Sequence, residues 1–127
     1  EDTLTSKTDI LAIASLDDTE TKFPDYVPKY YKRRKAAGIL IKAIFPDSKI
    51  ARKRQKEDHA ELRESRLLPR DVIDFHIELN IYEDKVAIIS LNPEENIGVV
   101  IESAVYAETS RTIFNLSWLG ATSFIAR

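Results

Sequence analysis

A chain of 127 residues with 43% hydrophobic and 31% charged residues is long enough for one domain with a real core and too short for two. No apolar run approaches the ~18–20 residues that span a bilayer, and no basic-then-apolar leader opens the chain. The absence of cysteine excludes disulfides and thiolate metal sites and fits a reducing, cytoplasmic setting, while a net charge of −2 argues against a general nucleic-acid binder.

The first predicted element is a buried strand over Asp9–Leu16, DILAIASL. The polar stretch DDTETKFPD reads as a loop. A helix opens at Pro24 or Asp25 and ends near Ala37, with Gly38 placed for a left-handed C-terminal residue and Lys32 to Lys35 in the last turns, where cations favour the helix dipole. Pro28 belongs in the first turn, since deeper in it would cost about 3 kcal/mol. Ile39–Pro46, nearly all apolar, reads as a central strand.

Asp47 or Ser48 caps a highly charged helix to about Glu64, whose apolar stripe is thin and which Leu67, Leu68 and Pro69 end. Asp74–Tyr82 and Lys85–Leu91 form a hairpin about Glu83-Asp84; Phe75, Ile77, Leu79 and Ile81 share one face, and His76, Glu78, Asn80 and Tyr82 the other. After a turn over Asn92–Asn96, Ile97–Glu102 is a fifth strand. Ser103 caps a final helix to about Leu119, with Ala107, Phe114 and Trp118 on its packed stripe. The predicted order is β-α-β-α-β-β-β-α: an α/β domain with a mixed five-stranded sheet covered by helices, one unit over 1–127 with its core at about 9–119.

Charge is uneven: 28–71 carry +8, while 1–27 and 72–127 carry −5 each. A solvated helical face explains this most simply, with an anion-binding or partner-docking surface as the sharper reading. Three glycines cannot build a phosphate loop, and His59 and His76 lack companions for a metal site, so no cofactor is expected. The YYKRRK segment mixes aromatics and cations, as single-strand binders do, but Tyr30 or Tyr31 on a short helix is more simply core or rim.

The order and spacing of RKAAGILIKAIFPDS, IYEDKVAIISL, GVVIES and the closing helix with Phe114 and Trp118 resemble the C-terminal domain of TrmB-type transcription regulators, over about 9–118. The resemblance implies a phospholipase D-like fold, preceded in the family by a winged helix-turn-helix and a coiled coil. With Glu1 in place of an initiator methionine, the chain is expected to be the sensing half of a longer regulator, reaching DNA only through that absent N-terminal domain. It further implies a homodimer and a small polar effector, a sugar among the candidates, bound at the C-terminal strand ends.

The phospholipase D signature H-x-K followed four residues later by D falls on His76, Glu78 and Glu83. Its histidine is the nucleophile and its lysine holds the phosphate. Glu78 puts a negative charge where an anionic transition state needs a positive one, so the site reads as catalytically dead. His76 and Glu78 are then the candidate ligand-binding residues, Glu78 accepting hydrogen bonds from hydroxyls. The ordinary readings are a partly exposed strand histidine and a solvent-facing carboxylate paired with an arginine. A half-size phospholipase D-like nuclease that dimerises to complete its site is the alternative, and a dimerisation domain without ligand is the third reading.

Overall fold

The computed structural model describes residues 2–71, 75–92 and 94–122. After a 3-10 turn at Asp2–Thr5, the elements are β1 (Ile10–Ile13), α1 (Leu16–Lys22), α2 (Tyr26–Ala36), β2 (Ile41–Pro46), α3 (Lys49–Gln55), β3 (Arg63–Leu68), β4 (Ile77–Tyr82), β5 (Lys85–Ser90), β6 (Gly98–Glu102) and α4 (Ala104–Ala121). They form one six-stranded sheet in the order β3-β2-β1-β4-β5-β6. β1, β2 and β3 run parallel, and β4 joins β1 antiparallel and continues as a meander through β5 and β6. Parallel strands need crossovers, which α1–α2 and α3 supply.

The expected mixed α/β sheet is present, with two corrections. The sheet has six strands, not five, and the order is β-α-α-β-α-β-β-β-β-α among the described residues. The charged helix predicted to run to about Glu64 stops at Gln55. Leu62 turns the chain at φ 51°, and Arg63–Leu68 then pair with β2 along their whole length. The strand is disguised because the inward position at its start holds a charge: Arg63 is buried and bonded to Asp58 and Glu61.

The second correction is α1, read from sequence as a loop. Its seven residues carry no apolar stripe, and only Leu16 and Thr19 are buried. A cap forms it instead: the Ser15 side chain accepts from the Asp18 amide, and Asp17 and Asp18 favour the positive end of the helix dipole. Other expectations hold. Gly38 adopts φ +72° after α2, Pro28 lies in that helix's first turn, and the Ser48 and Ser103 side chains cap α3 and α4. Asp74, the predicted start of β4, and Pro93, in the predicted turn, lie outside the described residues.

Strand alternation divides the core into two clusters. On one face Ile44, Leu68, Ile81 and Val86 pack with Ala107, Phe114, Trp118 and Ala121 of α4. The Phe114 and Trp118 rings stack at 5.9 Å, and the Arg66 guanidinium lies 4.0 Å from the Trp118 ring centre. On the other face Ile10, Ala12, Ala43, Phe45, Leu67 and Tyr82 lie beneath α1, α2 and α3. This second face positions the site.

Candidate functional site

The second face of the sheet encloses a cavity of about 450 Å³. Its floor combines small residues, Ala12 on β1, Ala14 just after it, Ala43 on β2 and Ala87 on β5, with Ile41, Phe45 and Ile89. Its roof is α2, which presents Tyr26, Val27 and Tyr30, with Phe23 just before it. Tyr26 and Tyr30 stack at 6.0 Å. Toward β6 the lining passes to Gly98 and Val100, the latter exposed.

Glu78 and Asn80 line the cavity from β4, two apart and therefore on one face of the strand. Burial pushes the Glu78 carboxyl up, and a hydrogen bond from Asn80 opposes that shift. The group lies deep in the domain while its surface meets the cavity, which is why it is half-buried rather than sealed. The Tyr30 hydroxyl is also raised by burial, and it bonds Thr3 at 2.6 Å.

One end of the lining is cationic. Arg34 is fully buried and donates to the carbonyls of Ile39 at 2.8 Å, Leu62 at 2.8 Å and Glu61 at 2.6 Å. Desolvation, and then the nearby Arg63, lower its pKa. Tyr31 lies between two guanidinium groups, Arg54 at 5.0 Å and Arg63 at 4.9 Å from its ring centre, and burial pushes its hydroxyl up to about 12. Tyr31 is therefore packed against cations at this end of the lining. Part of the +8 segment is turned inward, with Arg34 and Arg63 buried and Arg54 meeting Glu20 and Glu61, while Arg52 meets Asp47 and Arg70 meets Asp17 at the surface.

The residues that sequence spacing grouped together are separated. His76 precedes β4 and is not in it; its Nδ1 lies 2.6 Å from an Asp18 carboxylate oxygen at the exposed edge of α1, outside the cavity lining. Glu83 is at the other end of β4, in the hairpin turn, with φ 51°. At roughly 3.3 Å per residue, about 20 Å of strand lies between His76 and Glu83. Glu83 has its own task there. Its carboxylate accepts from the Lys7 amide at 2.9 Å, its amide donates to the Thr8 hydroxyl at 3.1 Å, and its carbonyl accepts from Arg111 of α4. These bonds hold a turn that a non-glycine residue enters at a cost.

Of the two candidate ligand-binding residues, Glu78 lines the cavity and His76 does not. The cavity also runs along the sheet face under α2, not at the strand ends. Asn80, Tyr26 and Tyr30 were missed as lining residues. The one sequence signal for them was the pair of alanines at alternate positions, Ala12 on β1 and Ala14 just after it, where a filled core would carry larger side chains.

No helix among the described residues is long and apolar enough to cross a membrane. No family model and no curated protein matches the sequence. Among solved structures the chain is similar to TrmBL2, an archaeal chromatin protein reported to show a novel mode of DNA binding, with a TM-score of 0.62 at 17% identity. The match covers 94% of this chain and 47% of that one, so the chain spans about half the length of that protein and shares the fold of that half.

Proposed function

We propose that this chain is the effector-sensing and self-associating domain of a TrmB-like transcription regulator, without catalytic activity and with the cavity under α2 as its effector site. The observation that carries the reading is the cavity itself. A space of about 450 Å³ falls within the ~300–1,000 Å³ typical of small-molecule sites and has a few polar groups at defined positions. The likeness to TrmBL2 supports a regulator of this class, and the separation of His76, Glu78 and Glu83 counts against phosphodiester cleavage within one copy. A sugar is the effector that the family resemblance implies. Contact with DNA belongs, in this reading, to a winged helix-turn-helix outside the chain.

Self-association is supported by the outer side of α4, where Val105, Ile113, Leu116 and Leu119 are 78%, 57%, 66% and 64% exposed. An apolar stripe of that kind on a helix whose opposite side is already packed suits an isologous contact with a second copy. Ligand binding beneath α2 would then bias the geometry of the pair.

Thermal-shift screening with sugars, nucleotides, amino acids and small amphiphiles, combined with light scattering, tests the reading. The expected result is a stabilising ligand and a dimer that Leu116→Glu dissociates without loss of fold. A monomer at high concentration with no stabilising ligand would overturn it.

A further inference from the structure

The polar groups of the cavity say more about its ligand than its volume does. The Thr3 and Tyr30 hydroxyls are bonded to each other, and the Thr19 hydroxyl donates to the Ser15 carbonyl at 2.9 Å. The Arg34 Nη atoms are committed to three backbone carbonyls, and its Nε and the Arg63 Nη2, which have no hydrogen-bond partner among the described residues, are buried away from the cavity surface. Glu78 and Asn80 remain, bonded to each other and side by side on β4 facing the cavity. Most of the other lining is aliphatic or aromatic.

A sugar carries a hydroxyl on nearly every carbon, and each one buried without a partner loses its bonds to water uncompensated. One polar wall cannot satisfy them. Charge narrows the head group further. At β4 an anionic head meets the Glu78 carboxyl, and a cationic head gains a counter-charge only if that buried carboxyl ionises, which its burial opposes. A neutral head avoids both penalties. A hydroxyl can donate to the Glu78 carboxyl and accept from the Asn80 amide at once. The apolar body would lie between Tyr26, Tyr30 and the floor, its far end leaving past Gly98.

We propose that the cavity takes a neutral amphiphile, a molecule with an apolar body and one hydroxyl head, seated at Glu78 and Asn80. This rests on the cavity being the effector site and replaces the sugar as its occupant. Phenols and aliphatic alcohols share the chemistry, and the probes separate them.

The test is calorimetric titration of the whole chain with butylphenol, octanol, octanoate, octylamine, glucose and maltose. Gly98 lines the cavity, and a side chain added there would meet nothing within 4 Å. Gly98→Leu should therefore fold normally while obstructing the outer end. Saturable binding of butylphenol or octanol, weakened about tenfold or more by Gly98→Leu and about tenfold by Glu78→Leu but retained in Glu78→Gln, is the expected result. The tighter of the two alcohols identifies the body as aromatic or aliphatic.

Tighter binding of octanoate or octylamine would overturn the neutral head. Binding of glucose or maltose that Gly98→Leu abolishes would overturn the amphiphile while leaving the effector site standing. Absence of binding by either alcohol to the folded chain would also overturn it. Alcohol binding with no change in self-association would support the pocket chemistry and count instead against the sensing role.

Discussion

The two faces of this sheet are built from the same strands and treat space in opposite ways. Under α4 the side chains are large and close-packed: Phe114 is 1% exposed, Ile81 and Val86 are fully buried, and Trp118 stacks on Phe114 with Arg66 against its ring. Under α2 the strands mix alanines with large residues such as Phe45 and Tyr82, the helix offers aromatic rings, and a cavity of about 450 Å³ lies between them. Packing of the first kind holds the domain together, and the second kind gives up part of that stabilisation. A void forfeits dispersion contacts along its walls, so a domain that keeps one on a single face has placed its stability and its binding surface on opposite sides of one layer.

The largest expected effect comes from breaking the packed face. Phe114→Ala should cost about 3–5 kcal/mol, because a buried ring is removed from a close-packed cluster that cannot collapse around the gap. That is a large part of the ~5–15 kcal/mol available to an ordinary domain. Urea denaturation followed by circular dichroism checks it. A loss below about 1 kcal/mol would mean that α4 is not packed as described.

A smaller and sharper comparison puts the same change on each face. Ala107 is fully buried beneath α4, and Ala87 lies at the cavity floor. Ala107→Leu should cost about 1–3 kcal/mol through overpacking. Ala87→Leu has room to extend and should be close to neutral or slightly stabilising, while reducing ligand binding. Equal losses at the two positions, measured by denaturant midpoints, would mean that the faces do not differ in packing.

How much of this was legible in the sequence follows from the same contrast. The packed face was readable because its signal is apolar and periodic: Ala107, Phe114 and Trp118 fall on one helical stripe behind the Ser103 cap, and Leu79 and Ile81 alternate along β4. The hairpin about Glu83-Asp84 and the left-handed Gly38 were readable from turn chemistry. Strand β3 was not, because its inward Arg63 gains partners, Asp58 and Glu61, only once the chain has turned at Leu62. Helix α1 was not, because a cap and two acidic residues form it without an apolar stripe. The site was half-readable. Glu78 could be singled out by its charge, but its environment is made in part by Tyr30 of α2, which is remote in sequence. His76 matched a spacing, and the spacing proved to run along a strand instead of converging on a point.

The smallest effect concerns the sign of a titration. Burial raises the Glu78 pKa above its ordinary value of 4.5, with the Asn80 hydrogen bond opposing. Between the ordinary value and the raised one, the folded chain holds a proton that the unfolded chain has lost. Stability contributed by this group is therefore fully present below the ordinary value and is lost as pH rises through the native one. Glu78→Gln removes the titration. The variant and the parent should be equally pH-sensitive apart from this group, so the difference between their urea midpoints should be constant in acid, move in the variant's favour as pH rises through that window, and level off above it. The opposite trend, with the parent gaining on the variant as pH rises, would mean that the native carboxylate is held ionised by a partner. The cavity wall would then carry a fixed negative charge, suited to a cation, and the two faces of the sheet would differ in charge as well as in packing.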